Sequence, residues 1–289
     1  MKGIVFAGGN GTRLYPTTIA YSKQLINVYD KPAIYYPIAT LLEAGIKDIL
    51  IITTKDNCGL YKKLLQNGKH LGISIKYRVQ KEPNGCAEAL KLCKSFVKDE
   101  PFCVIMGDNV IIGQEVVSEI RKNAIYFSGA QIFCCEVNNP KAFGVLSVKN
   151  GKITKIEEKP QNPTSNLAIM GVYIYDKKAF HYAKSISISE RNELEIPDIN
   201  KCYLKDNALK YMIVSKNEKW MDIGTPENLL IASNYIHDYQ AKNNTIIACL
   251  EEISYRNNYI SFENLQKLGS NNSEYKRYVL SIKENKWRY

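Results

Sequence analysis

The hydrophobic and polar positions of this chain fall into two regimes. In the first, apolar runs alternate with segments of helical period. Residues 3–7 form a short apolar run that stops at Ala7-Gly8-Gly9 and reads as a first strand. Residues 33–44 are helix-like after Pro32. Pro37 is expected to kink or restart that helix, because proline removes a backbone donor. Asp48–Thr53 and Phe102–Met106 are almost wholly apolar, as parallel strands covered on both faces are. Between them, residues 59–67 read as a helix and Ser74–Val79 as a strand. Residues 86–97 read as one helix with Cys86, Leu90, Cys93 and Val97 on a single face. This β-α-β rhythm predicts an α/β fold with a doubly wound sheet. Ligands of such sheets sit beyond the carboxyl ends of the strands.

The second regime is richer in strands. Residues 130–137, 144–148, 153–157 and 169–175 have strand character, with few helices between them. They are expected to extend the sheet and form a flank. Residues 177–185 and 226–239 read as helices. From about residue 244 the chain is polar, tyrosine-rich and helix-like, with apolar positions at Leu265, Leu268, Val279 and Leu280. This predicts a helical appendage for packing or oligomerisation. There is no internal repeat and no low-complexity linker.

Composition narrows the picture without deciding it. The 289 residues are 45% hydrophobic and 24% charged, ordinary values for a globular chain with a normal core. No run approaches the roughly 18–20 apolar residues of a membrane span, and the N-terminal run is too short for a signal-peptide core. A cytoplasmic, intracellular protein is expected. The eight cysteines, among them Cys58, Cys103 and Cys249, include no Cys-x-x-Cys pair, and there are only three histidines. Small buried thiols in a reducing compartment are expected rather than a zinc cluster. The formal charge is +10. A basic chain can bind nucleic acid, but here Lys and Arg are dispersed, and a polyanionic small substrate suits the same field.

The sharpest chemical signal is Ala7-Gly8-Gly9-Asn10-Gly11-Thr12-Arg13-Leu14. Glycines after a strand let backbone N–H groups approach phosphate oxygens, and Arg13 adds a forked cation. The spacing fits neither the P-loop nor the dinucleotide fingerprint. Lys23, in Ser22-Lys23-Gln24-Leu25, follows closely enough to converge with Arg13 on one triphosphate. Asp108 ends an apolar strand and Asp222 stands between Met221 and Ile223. A carboxylate is costly in either place unless paired or metal-bound. His70, His181 and His237 fall outside every motif.

These segments carry a resemblance. AGGNGTRLYP (residues 7–16), SKQL (22–25) and VYDKPAIYYPIATLLEAGIKDILII (28–52) resemble the glucose-1-phosphate thymidylyltransferases, members of the sugar-nucleotide pyrophosphorylases. GDN (107–109), FGV (143–145), EEKP (157–160), SNLAIMGVYIYD (165–176), ELEIPDIN (193–200) and WMDIGT (220–225) continue it in order across nearly the whole chain. Related uridylyltransferases carry a Pro-Lys-Glu form of the lysine segment, so Ser22-Lys23-Gln24 favours the thymidylyl branch.

The resemblance implies a Rossmann-like mixed sheet of the GT-A-like nucleotidyltransferase type. Residues 1–240 would form the nucleotidyltransferase domain, with a nucleotide-binding half (1–110) and a sugar-binding half (111–240). Residues 241–289 would be the helical appendage. It implies nucleotide binding by Gly8, Gly9, Gly11, Thr12 and Arg13, triphosphate contacts from Lys23 and Gln24, and base reading by Gln80 and Gly85. Asp108 and Asp222 would hold Mg2+, whose coordination phosphate oxygens and water would complete. Asn109, Gly144, Glu158, Ile169 and Tyr173 would line the sugar pocket, with Lys159 and Arg191 facing the sugar phosphate. The implied reaction joins dTTP and glucose 1-phosphate into dTDP-glucose and pyrophosphate, in a homotetramer, with no nucleic-acid or membrane partner. A sugar-phosphate oxygen is already anionic, so catalysis would rest on positioning and charge neutralisation.

Four positions depart from the family pattern: Cys86 for leucine, Glu88 for glutamine, Asn27 for proline and Asn192 for glycine. The same reaction with UTP or another sugar 1-phosphate is therefore the alternative. A thymine methyl is worth only about 1–3 kcal/mol in an apolar pocket. A catalytically silent nucleotide-sugar binding subunit is a reading of another class. It predicts loss of Arg13, Lys23 or the aspartates, all of which are present.

Overall fold

A computed structural model of the chain describes residues 1–81, 84–189 and 193–284. Its strands, in chain order, are β1 (Lys2–Ala7), β2 (Asn27–Val28), β3 (Lys31–Pro32), β4 (Asp48–Thr53), β5 (Ser74–Val79), β6 (Phe102–Met106) and β7 (Asn109–Ile112). Then follow β8 (Ala130–Glu136), β9 (Gly144–Lys149), β10 (Lys152–Glu158), β11 (Leu167–Tyr175), β12 (Leu209–Ile213) and β13 (Lys219–Asp222). Nine of them form one mixed sheet, ordered β10-β9-β11-β6-β1-β4-β5, with β8 on β11 and β12 on β8. β1 pairs in parallel with β4 on one side and β6 on the other, and β4 with β5. β11 runs antiparallel to β6. The expected mixed, doubly wound α/β sheet is what the chain forms.

The apolar runs follow from cover on both faces. In β1, Val5 and Ala7 join a core with Ile49, Ile51, Cys103 and Ile105, beneath helices Tyr35–Glu43 and Glu115–Lys122. Ile4 and Phe6 point the other way, to Leu50, Ile52 and Val104 and helices Cys86–Lys91, Ala179–Ser185 and Ile196–Lys205. Side chains alternate across a strand, so neither face tolerates a polar residue.

Several expectations change in detail. Pro37 does not kink its helix. It lies in the first turn of Tyr35–Glu43, where backbone donors have no intrahelical acceptor. The expected helix 86–97 is two, Cys86–Lys91 and Lys94–Val97, although Leu90, Cys93 and Val97 do share one buried face. Helices Glu115–Lys122 and Ile196–Lys205 were not expected, nor was the small antiparallel sheet of β7 and β13.

After helix Pro226–Asn243, capped by Thr225 Oγ1 accepting from Asn228 N (3.2 Å), come helices Leu250–Arg256, Phe262–Leu268 and Glu274–Ser281. Leu265 and Val279 are buried in a small cluster with Cys249 and Ile260. Ala248, Leu250 and Ile253 instead join the main core. Among the described residues, no helix is long and apolar enough to cross a membrane.

Candidate active site

The sheet topology itself makes a crevice. From β1 the chain moves to β4 and β5 on one side, then returns to β6 on the other. The strand order therefore reverses at β1, and ligands bind beyond the carboxyl ends at such a point. Ala7 at the end of β1 leads into Gly8–Gly11, Val79 at the end of β5 into Gln80, and Met106 at the end of β6 into Gly107-Asp108. A cleft of about 590 Å³ opens there, and it is lined by every described residue proposed for the site. Arg191 lies outside the described residues, as does Asn192.

The glycine loop sits on Lys23. A Cβ on Gly9 would stand 3.5 Å from Lys23 Cε, and one on Gly8 3.3 Å from Gln80 Oε1. Gly11 has φ +63°, in the left-handed region that favours glycine. Its carbonyl accepts from Leu14 N (2.8 Å) and Thr18 Oγ1 (2.7 Å). Thr12 and Arg13 follow on an exposed 3₁₀ turn at the mouth of the cleft. Gln80 Nε2 donates to Gly85 O at 3.2 Å, which joins the two residues expected to read the base. Gln24 is buried, and its Oε1 accepts from Ser22 Oγ.

The two aspartates meet because β7 and β13 pair. Their register sets Asp222 opposite Asn109, and Ile223 N donates to Asp108 O at 3.1 Å. Lys23 Nζ donates to Asp108 Oδ2. Burial alone would lift the Asp108 carboxyl, but the Lys23 ammonium overrides it and holds Asp108 below the usual carboxylate value. Burial would likewise lower Lys23, and Asp108 holds it above the usual lysine value. Asp222 is pushed up to about 6, by burial first and by repulsion from Asp108 second. A buried carboxylate, Asp108, and a half-buried one, Asp222, that repel each other beside open space are the residue types that a site for a hard divalent cation would need. Among the described residues no group of three or more His, Cys, Asp or Glu is poised to hold a metal. The remaining ligands would have to be phosphate oxygens and water.

The opposite wall comes from the second regime of the chain. Gly144 pairs with Glu158 across β9 and β10, and a Cβ there would approach Glu158 Oε2 at 3.3 Å and Ile169 Cδ1 at 3.6 Å. Lys159 has φ +44°, an uncommon conformation for a lysine, with Nζ 3.7 Å from Glu158 Oε1. Such backbone strain persists where the surroundings over-determine it. Here its N–H is tied to Phe143 O at 3.0 Å. Tyr173 is buried, stacked on Tyr175 at 5.8 Å, and burial lifts its hydroxyl well above the usual tyrosine value.

Asn109 is bound more tightly to protein than a sugar ligand needs. Its Oδ1 accepts from Gly171 N (3.0 Å) and Trp220 Nε1 (2.6 Å), and its Nδ2 donates to Asp108 Oδ1 (3.3 Å). Trp220, Phe143, Met106 and Glu193 also line the cleft without having been assigned roles. Trp220 was findable, since residues two apart on a strand share a face and Asp222 is two positions on. Of the departures beside the base-side segment, Cys86 lines the cleft, while Glu88 pairs with Lys91 at 2.7 Å. A second cavity, about 640 Å³, lies between helices Tyr35–Glu43 and Leu250–Arg256 and contains none of the proposed site residues.

The nucleotidyl transferase family model matches residues 2–239. The chain belongs to the nucleotidyl transferase family. This nucleotidyl transferase is 43% identical over 285 residues to a glucose-1-phosphate thymidylyltransferase of Neisseria meningitidis, covering 98% of this chain and 99% of the relative. It is 36% identical over 287 residues to one from Mycobacterium tuberculosis, with 98% and 99% covered. Among solved structures, a Bacillus anthracis protein described as a glucose-1-phosphate thymidylyltransferase, in complex with sucrose, superposes with TM-score 0.77 at 41% identity, over 82% of this chain and 96% of that one. A UDP-glucose pyrophosphorylase shares the fold at TM-score 0.71 and 24% identity, over 83% and 99%.

Proposed function

We propose that this nucleotidyl transferase moves a thymidylyl group from dTTP to α-D-glucose 1-phosphate, releasing pyrophosphate. The observation that carries the reading is one cleft with a glycine loop, Arg13 and Lys23 on one wall and Glu158-Lys159 on the other, with Asp108 and Asp222 lining the space between. The printed names of relatives 36–43% identical over nearly the full chain support the choice of base and sugar.

The mechanism follows from charge. The sugar phosphate attacks the α-phosphorus with an oxygen that is already anionic, so no general base is needed. No histidine lies among the described residues that line the cleft. Arg13 and Lys23 neutralise the leaving pyrophosphate, and Lys159 holds the nucleophilic phosphate in line. Electrostatic preorganisation of this kind is usually the largest catalytic term. Asp108 and Asp222 would hold Mg2+. When bound, Mg2+ adds positive charge on the triphosphate oxygens. Gln80 and Gly85 face the base, and Glu158, Ile169 and Tyr173 shape the sugar pocket. Arg191, expected beside Lys159, remains part of this proposal from the resemblance alone.

Pyrophosphate release should be measured over dTTP, UTP, CTP, ATP and GTP, each with glucose 1-phosphate and with amino-sugar 1-phosphates, with and without Mg2+. Fastest turnover is expected for dTTP with glucose 1-phosphate and Mg2+. Faster turnover of UTP, or of another sugar, would replace that substrate assignment. No release from any pair would remove the enzymatic reading.

A further inference from the structure

One buried cation has no place in this mechanism. Lys31 is only 3% exposed. Its ammonium donates to Asp30 Oδ1 and faces the rings of Tyr36 (5.5 Å) and Tyr275 (5.8 Å). Taking a lysine out of water costs several kcal/mol, and a methionine would fill the same slot without that cost. The charge therefore requires an explanation beyond packing.

The neighbours of Lys31 join two distant parts of the chain. On the C-terminal side, Tyr275 OH donates to Glu251 Oε2 (2.5 Å), and Lys276 Nζ pairs with Glu251 Oε1 (3.0 Å). These contacts lock helix Glu274–Ser281 to helix Leu250–Arg256. Asp30 Oδ2 accepts from Gln240 Nε2 (3.2 Å), and Gln240 Oε1 accepts from Ile247 N (2.9 Å), where the C-terminal helices begin. On the active-site side, Lys31 pairs with Val28 in the β2-β3 hairpin. Tyr36 OH donates to Val28 O at 2.8 Å. The hairpin stem continues as Ala33 N to Ile26 O and Ile34 N to Gln24 O, both 2.9 Å. Gln24 is next to Lys23, which reaches Asp108. The hairpin tip is also strapped to helix Pro226–Asn243, through Tyr29 N to Ser233 Oγ (3.2 Å) and the Tyr29 ring on His237 (5.2 Å). That helix starts four residues after Asp222.

We propose that Lys31 is a positioning residue, coupling the docked C-terminal helices to the placement of Lys23 and Gln24 on the triphosphate side of the cleft. The inference rests on the functional reading above for what Lys23 binds, and adds a residue to it. Lys31 touches no substrate. Asp30 in the hairpin tip and Tyr36 just after it hold the ammonium in place, Tyr275 brings in the C-terminal helices, and the hairpin fixes the lysine loop. The coupling is directional: it reaches the pyrophosphate-leaving wall, and among the described residues the contacts of the Lys31 ammonium are with Asp30, Tyr36 and Tyr275, none of them on the Glu158-Lys159 wall.

The test compares wild type with Lys31→Met, Asp30→Asn/Lys31→Met, Lys31→Arg, Tyr275→Leu and the Lys31→Met/Tyr275→Leu pair. The Asp30→Asn/Lys31→Met variant leaves no charge uncompensated, so it keeps the test open if Lys31→Met alone folds poorly. Calorimetric affinity for dTTP with Mg2+, and KM for each substrate, are the readouts. Affinity for dTTP should weaken about ten-fold, with KM for glucose 1-phosphate unchanged within about two-fold. Lys31→Arg should restore most of the loss, and the Lys31 and Tyr275 changes should be non-additive. Unchanged dTTP affinity, or equal loss for both substrates in step with Tm, would overturn the proposal. Wild-type protein that binds dTTP without turnover would sink the functional reading instead, and dTTP affinity would still decide the role of Lys31.

Discussion

Gly85 gives the most quantitative test of how the two halves of the cleft are joined. It has φ +100°, and a Cβ there would lie 2.5 Å from Leu194 O and 2.6 Å from Leu194 N. Ordinary contact begins near 3.4 Å, so alanine forces the two segments apart by about 0.9 Å. Two hydrogen bonds cross the same contact, Ala87 N to Leu194 O (3.0 Å) and Leu194 N to Asn84 O (2.9 Å). Lengthened by that much, both leave hydrogen-bonding range, at about 1 kcal/mol each. With φ +100° and ψ 169° the backbone also lies in a region essentially reserved for glycine, which costs any L side chain a further 1–3 kcal/mol or so. Gly45 supplies the control, because it has φ +89° with nothing within 4 Å of a Cβ. Gly45→Ala measures the cost of a positive φ with no clash. Gly85→Ala should therefore be at least about 2 kcal/mol less stable than Gly45→Ala, a Tm lower by roughly 3 °C or more in a chain of this size. Thermal unfolding of both variants beside wild type reads the difference. Equal melting temperatures would mean that residues 84–87 do not press on Leu194, and the close joint between these two segments would be refuted. Gln80 Nε2 is bonded to Gly85 O, so KM for dTTP should rise in the same variant.

Other changes probe the remaining parts. Asp108→Asn should cut Mg2+-dependent pyrophosphate release by a hundred-fold or so while the circular dichroism spectrum is kept; retained turnover would remove Asp108 from the proposed metal site. A Cβ on Gly224 would stand 2.4 Å from Arg13 Nη2 and 2.6 Å from Asp222 Oδ1, so Gly224→Ala should displace both and lower kcat/KM about ten- to a hundred-fold. A kcat/KM equal to wild type would argue against any role for their arrangement. Glu43 is pushed up to about 7, by burial first, against the pull of Arg121. Its folded pKa lies above its unfolded value, so its contribution to stability is complete below about pH 4.5 and is lost as pH rises through about 7. Glu43→Gln should flatten that part of the stability curve, by up to about 3 kcal/mol, and urea midpoints from pH 4.5 to 8 that keep the wild-type slope would contradict the assignment.

The centre of the sheet was legible because β1, β4 and β6 are covered on both sides. The apolar runs of β4 and β6 have no polar face to hide their period, and Gly8–Gly11 marks where the first run ends. What local pattern cannot carry is pairing across a long separation. β7 and β13 are four residues each, too short to announce themselves, yet their register alone brings Asp222 to Asp108. The carboxylates were suspicious as charges in apolar surroundings; that they meet was expected from the family resemblance and not from any local pattern. Pro37 shows the opposite error. A proline inside an apolar helical stretch reads as a break, and only the position of the helix start turns it into a first-turn residue. Lys31, between Asp30 and Pro32, has the sequence of an exposed turn, and its burial depends on Tyr275 from the far end of the chain. Asn109 marks the deeper limit. A carboxamide beside the cleft aspartate Asp108 can face a ligand or brace the site, and the residue type is the same in both roles. Gly171 and Trp220 decide it: with both donating to Oδ1, the acceptor of Asn109 is spent on protein. What it can still offer is an amide N–H, so under the proposed reading Asn109 would meet a sugar only as a donor to an acceptor oxygen.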